Sequence, residues 1–153
     1  MAGEANATMR RFGWPQTLLA NYDHWAVLLR PAQVTLGSLI LAAKGEARAF
    51  GALDPGAHAE LAGITAVIEQ VLRDTMAYER INYLMLMMVD PHVHFHVIPR
   101  YEGKRTFGER TLADAGWPGP PDLKSAAALD EATLQRLSAW LRSAFADALP
   151  SIG

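Results

Sequence analysis

The sequence contains no cysteine, and only five of its 153 residues are histidine. Without cysteine the protein can form neither a disulfide nor a catalytic thiolate, which fits a reducing cytoplasm. Its formal net charge of −2 offers no basic surplus for binding a nucleic acid polymer. The apolar run 81–89 is far shorter than the roughly 20 residues that a transmembrane helix needs. We therefore expect a cytoplasmic protein that binds neither nucleic acid nor membrane.

The composition is that of an ordinary globular protein, because 50% of the residues are hydrophobic and 20% are charged. Residues 1–16 are small, polar and arginine-containing, with no apolar stretch typical of a signal peptide, and we predict a flexible segment there. The main body of a single domain is expected over residues 17–105. Residues 106–153 should add a loop and a helix to the same domain.

Hydrophobic periodicity predicts the elements of this domain. Residues 17–30 indicate two short strands in a hairpin, and 38–43 a third strand. Asp54 and Pro55 signal the start of a long helix that should end near Ala77, because apolar residues recur at spacings of three and four. The run 81–89 is then interpreted as a buried strand.

The last third of the chain combines a strand, a loop and a helix. A strand rich in histidine should end near Pro99, and the glycines and prolines of 108–123 predict a loop. Asp130 signals a second helix, in whose apolar stripe Trp140 and Leu149 are expected. This order predicts an α+β fold: a mostly antiparallel sheet, a long helix packed on it, and a C-terminal helix.

Three of the five histidines fall within the segment HVHFHVIPR, residues 92–100. Alternate side chains of a strand point to opposite faces, so His92, His94 and His96 should share one face. The apolar residues between them should pack into the core from the other face.

Three explanations are open for this histidine stripe. It could be the solvated side of a half-buried sheet, although other polar residues usually fill such positions. It could hold a metal ion, but His92 and His96 would stand about 13 Å apart and distant ligands would be needed. It could serve nucleophilic and acid–base catalysis, because a neutral imidazole attacks phosphorus and an imidazolium donates a proton.

The segment resembles the histidine triad motif, His-φ-His-φ-His-φ-φ with φ apolar, of the HIT superfamily of nucleotide hydrolases and transferases. All seven positions match over residues 92–98. The resemblance extends over about residues 17–105, where strand, glycine-containing turn, strand and helix follow in the same order. It implies an α+β half-barrel that usually forms a homodimer.

The resemblance also implies a mechanism. His94 would attack the α-phosphorus of a nucleotide phosphoanhydride or phosphoramidate, and water would release the nucleoside monophosphate from a nucleotidyl-histidine intermediate. His96 would contact the phosphate or the leaving group. His92 would help to fix the ring of His94, partly through its backbone carbonyl. No metal or other cofactor is implied, since imidazoles and backbone donors would stabilise the negative charge.

The chain departs from the family pattern at three places. Ser38 follows Gly37 where the family has a histidine, and Arg30 stands where an acidic or amide residue holds the ribose. The short sequence MMVDP, 87–91, replaces a glycine-rich phosphate loop. We interpret Arg30, Ser38 and Arg100 as candidate substrate-binding residues; the arginines would meet a phosphate or else be ordinary surface residues. The alternatives to an enzyme are a nucleotide-binding regulatory module without turnover and a metal-binding protein.

Overall fold

The computed structural model describes residues 5–148 and gives an α+β fold. In chain order its main elements are α1 (Ala7–Arg11), β1 (Leu18–Asn21), β2 (Trp25–Leu29), β3 (Ala32–Gln33), β4 (Leu39–Ala43), α2 (Pro55–Met76), β5 (Arg80–Leu84), β6 (His94–Arg100), β7 (Lys104–Phe107), β8 (Arg110–Ala113), β9 (Ala127–Ala128) and α3 (Glu131–Ala148). Five strands form one antiparallel sheet in the order β1-β2-β4-β6-β5. Two further sheets have two strands each and pair β3 with β9 and β7 with β8. The predicted fold class is confirmed.

Both predicted helices begin where the sequence signals them. Pro55 occupies the first turn of α2, where its missing N–H costs no hydrogen bond, and Ala77 ends the helix in the left-handed region at φ 50°. The carboxylate of Asp130 accepts hydrogen bonds from the backbone N–H and the hydroxyl of Thr133, which caps the start of α3.

The central sheet separates two apolar layers. On one face, residues such as Val27, Leu41 and Val97 join the buried face of α2 and α3 in the main core. On the other face, β2 and β4 present four small or branched residues, Ala26, Leu28, Ile40 and Ala42, which pack against Met9 of α1. The histidines of β6 belong to this second face, because His94 pairs with Ala42 and His96 with Ile40.

The segment expected to be flexible forms this cover. Residues 1–4 lie outside the described residues, but the expectation is wrong for residues 5–16. Asn6 is buried, accepts the backbone N–H of Met9 as the cap of α1, and donates to the carbonyls of Ala43 and Gly45. The second apolar face must be buried, and the polar residues of this segment form their hydrogen bonds where the segment packs on the sheet.

Two other expectations are corrected. The strand predicted over 81–89 ends at Leu84 and forms the edge of the sheet, and Met88 and Val89 are 82% and 74% exposed. In the register of β5 with β6, residues from Met87 onward lie beyond the first residue of β6, so the exposed Met88 and Val89 have no partner strand. The loop predicted over 108–123 is partly a strand, since β8 pairs with β7.

Fewer residues of α3 are buried than its apolar stripe predicts. Trp140 is 42% exposed and stacks on Phe107 instead of entering the core, whereas Leu137, Leu141 and Phe145 are buried. Leu149, the last residue of the predicted stripe, lies outside the described residues. Within residues 5–148, no helix combines the length and apolar character needed to cross a membrane.

Candidate active site

His94 and His96 form a pair on β6. They lie on the same face, their ring centroids are 5.0 Å apart, and their residues are only 1% and 7% exposed. Phe95, between them, packs against the main core on the other face. The alternation of polar and apolar residues is therefore confirmed for this part of the segment.

His92 does not belong to this pair. It precedes the first residue of β6 by two positions but faces the same side as the pair, because Val93 enters the main core on the other face and the ring of His92 contacts α1, which covers the histidine-bearing face. Its Nδ1 is 2.9 Å from the hydroxyl oxygen of Thr8 on α1, and its Nε2 is 2.8 Å from Oε1 of Glu46. The backbone N–H of His92 also donates to the Thr8 hydroxyl oxygen. These contacts hold the residue from both the ring and the main chain.

The carbonyl of His92 fixes the protonation pattern of His94. His94 Nδ1 lies 2.7 Å from this oxygen. A carbonyl oxygen only accepts hydrogen bonds, so Nδ1 must carry a proton. In the neutral ring, Nε2 of His94 then holds a free lone pair, which is the form a nucleophilic imidazole requires.

In His96 the proton lies on the other ring nitrogen than in His94, because of Arg30. The Nε–H of Arg30 donates to Nδ1 of His96 over 3.2 Å, and a guanidinium cannot accept. Burial, with smaller contributions from the nearby Arg30 and His94, lowers the pKa of His96 to about 4. His96 is therefore neutral near pH 7 and carries its proton on Nε2. The pair thus offers one acceptor nitrogen and one N–H donor.

The N-terminal segment completes the site. The ring of Phe12 lies 5.6 Å from the ring of His94 and 5.8 Å from that of His96. Thr8, Glu46 and Phe12 were missed by sequence reasoning, because each meets the histidines through a contact between distant parts of the chain. The two aromatic residues of an otherwise mostly small and polar segment, Phe12 and Trp14, were the available signal.

Two predicted substrate-binding residues have structural contacts instead. The hydroxyl of Ser38 donates to the carbonyl of Thr35 and accepts the Thr35 N–H, and Ser38 is fully buried. Arg100 forms a buried two-point ion pair with Asp114, at 2.7 and 3.0 Å, and donates further to Asn82 and Gly119. Their hydrogen-bonding capacity serves the fold, and Arg30 is the candidate that the structure brings beside a histidine.

The metal alternative lacks a ligand set in the part of the chain that the structure describes. No group of three or more histidine, cysteine, aspartate or glutamate residues between 5 and 148 is arranged to hold a metal ion. The ring nitrogens of His92 face Thr8 and Glu46, and Nδ1 of each histidine on β6 is engaged in a hydrogen bond.

Comparison with known proteins identifies the fold. No protein-family model and no curated protein matches the sequence. Among solved structures, a histidine triad (HIT) protein from Sinorhizobium meliloti has a TM-score of 0.70 and 22% identity, covering 92% of this chain and 95% of its own. Histidine triad proteins from Bradyrhizobium japonicum and Marinobacter aquaeolei both give a TM-score of 0.68 and 18% identity, covering 95% and 94% of this chain and 99% and 96% of theirs. The chain has the histidine triad fold, as its motif predicted.

Proposed function

We propose that this protein is a hydrolase or nucleotidyl transferase that acts at the α-phosphate of a nucleotide through a covalent bond to His94. The observation that carries the proposal is the hydrogen bond from His94 Nδ1 to the carbonyl of His92, which leaves Nε2 free to attack. The fold shared with histidine triad proteins supports the same substrate class.

In the first step, Nε2 of His94 attacks the α-phosphorus. A phosphorus–nitrogen bond forms, the bond from phosphorus to the leaving group breaks, and its electron pair departs with the leaving group. The ring of His94 becomes positively charged, and the carbonyl of His92 stabilises this charge through the Nδ1–H. The Nε2–H of His96 donates to an oxygen on the reacting phosphate or on the leaving group.

In the second step, water attacks the same phosphorus. Its oxygen forms the new bond, the phosphorus–nitrogen bond breaks, and the electron pair returns to Nε2 of His94 while a proton passes to solvent. An alcohol or phosphate in place of water would give nucleotidyl transfer. Neither step needs a metal or another cofactor, since the Nε2–H of His96, whose Nδ1 accepts from Arg30, supplies a donor at the reacting centre.

The direct test is a covalent adduct on His94. The protein is incubated with adenosine phosphoramidate and with diadenosine triphosphate, quenched in acid-free denaturant and digested for mass spectrometry. We expect adenylate on the peptide that contains His94, and no adduct or turnover in His94→Ala. His58→Ala, a change at an exposed position of α2, is the matched control. Unchanged turnover in His94→Ala would refute the covalent mechanism.

Two observations favour a second candidate function, a nucleotide-binding module without turnover. His94 is 1% exposed beneath Phe12, and the family's further histidine is replaced here by the buried Ser38. This candidate predicts nucleotide binding of equal affinity in the wild type and His94→Ala, with no adduct in either. The mass-spectrometric experiment therefore separates the two candidates.

Two properties remain proposals that rest on the sequence. A homodimer follows from the resemblance, and β5, at the edge of the sheet, offers unpaired backbone groups to a second copy. Sedimentation that gives a monomer mass at micromolar concentration would refute it. A cytoplasmic location rests on the lack of cysteine, and fractionation of cells is its test.

A further inference from the structure

The imidazole of His92 has no task in the proposed mechanism, which uses only the carbonyl of this residue. Its side chain is nevertheless only 4% exposed, and both ring nitrogens have a partner: Nε2 lies 2.8 Å from Oε1 of Glu46 and Nδ1 lies 2.9 Å from the hydroxyl oxygen of Thr8. A buried ring that is paired at both nitrogens also restrains its own main chain. The two partners therefore bear on the oxygen that His94 contacts.

Glu46 decides which nitrogen of His92 carries the proton. An ionised carboxylate only accepts hydrogen bonds, so Nε2 of His92 must donate to it. In the neutral ring Nδ1 is then an acceptor, and the Thr8 hydroxyl donates its hydrogen to it. The oxygen of that hydroxyl accepts the backbone N–H of His92, 3.3 Å away. The carboxylate thus sets the direction of the hydrogen bonds that join Thr8 to the ring and to the main chain.

The loop that carries Glu46 is held on both sides of this residue. Nδ2 of Asn6 donates to the carbonyl of Gly45 over 2.8 Å, and the backbone N–H of Val93 donates to the carbonyl of Ala47 over 3.1 Å. The N-terminal segment and the histidine segment therefore both fix the main chain from which the carboxylate extends. Such a preformed loop lowers the entropic cost of keeping the carboxylate at the imidazole.

Stability alone does not explain this contact. The side chain of Glu46 is 80% exposed, and so exposed a group contributes little to the free energy of unfolding. Water could replace it as the acceptor for Nε2 of His92. Water both donates and accepts, however, so it would not keep the proton on one nitrogen of the ring, whereas a carboxylate does.

We propose that Glu46 is a positioning residue for the nucleophile: through the ring of His92 it holds the carbonyl that keeps the proton of His94 on Nδ1. This role rests on the proposed function and adds to it a residue outside the triad. The carbonyl oxygen lies 2.7 Å from Nδ1 of His94, and a rotation of the His92 peptide would lengthen this contact. His94 would then also adopt the form with its proton on Nε2, which has no lone pair left for attack.

The first measurement reads the protonation of the rings and needs no turnover. Long-range ¹H–¹⁵N NMR distinguishes imidazole nitrogens with and without a hydrogen. In the wild type at neutral pH we expect the hydrogen on Nε2 in His92 and on Nδ1 in His94. In Glu46→Ala both rings should become mixtures of the two neutral forms. Glu46→Gln should keep the wild-type pattern, because its side-chain carbonyl still accepts from Nε2–H.

The second measurement is the rate at which His94 is adenylated in a single turnover with adenosine phosphoramidate. Glu46→Ala should slow this step about tenfold, as for the loss of one hydrogen bond to a charged group. Values of kcat and kcat/KM should fall by the same factor, because Glu46 does not contact the nucleotide. Glu46→Gln should restore most of the rate. Glu109→Ala, which removes an exposed glutamate between β7 and β8, is the matched control and should react like the wild type.

Three results would overturn the inference. In Glu46→Ala, His94 could keep a single protonated nitrogen, or it could be adenylated within about twofold of the wild-type rate. A large fall in the urea midpoint of this variant would mean that the contact supports the fold instead. If the wild type itself forms no adduct, the proposed function fails, and the NMR comparison alone decides whether Glu46 positions His94.

Discussion

Lowering the pH from about 7 to about 4 should destabilise this protein through His96. In the folded state the ring is buried beside Arg30 and has a pKa of about 4, against 6.5 in an unfolded chain. Between pH 4 and pH 6.5 the unfolded chain binds a proton at His96 that the folded protein does not bind. Stability from this group is therefore complete above pH 6.5, declines as the pH falls towards 4, and changes no further below it. The difference corresponds to about 3 kcal/mol of the free energy of unfolding.

Urea unfolding from pH 7 to pH 4 measures this loss. His96→Gln is the informative variant, because a glutamine oxygen can still accept from Arg30 but the side chain cannot titrate. Carboxylates titrate alike in both proteins, so the difference between the two curves isolates His96. We expect the wild type to lose about 3 kcal/mol more than His96→Gln over this range.

A matched change separates this effect from the loss of any histidine. His58→Gln removes an exposed histidine of α2, and its pH dependence should follow that of the wild type. Parallel curves for the wild type and His96→Gln would refute the argument, because they would mean that His96 takes up its proton equally in the folded and unfolded states.

Two further predictions concern the contacts around the site. Asp114→Asn should lower the free energy of unfolding by about 3–5 kcal/mol, because it leaves the charge of Arg100 buried without its partner; a change below about 1 kcal/mol in urea unfolding would contradict this. Thr8→Val should cost about 1–3 kcal/mol and slow adduct formation on His94, since it removes the hydroxyl that holds His92. An unchanged single-turnover rate would show that this contact does not position the nucleophile.

The parts of the fold that depend on local pattern could be predicted from the sequence. The long helix follows from Asp54, Pro55 and the apolar residues that recur along α2, all within one segment. The placement of His94 and His96 on one face follows from strand alternation, which needs no knowledge of neighbouring strands. Both predictions depend on residues only a few positions apart.

The errors arise where the partner is distant in the chain. Thr8 meets His92 across 84 positions, and nothing in the segment 5–16 indicates which face it covers. Arg100 lies on the histidine-bearing face and resembles a phosphate ligand by charge alone. Its partner Asp114 comes 14 residues later, in a region predicted as loop, and no periodic pattern joins the two. Local sequence specifies the histidine pair better than the residues that surround it.

The N-terminal segment that covers the second face of the sheet contributes both to the stability of the fold and to the proposed chemistry. Ala26, Leu28, Ile40 and Ala42 form an apolar surface that must be buried, and Met9 with Phe12 buries it. The histidines stand on the same face, so the same cover removes water from them and lowers the pKa of His96. If the histidines were half exposed, His96 would be desolvated less and would take up a proton more easily as the pH falls. The N-terminal segment thus acts on the site by completing the fold.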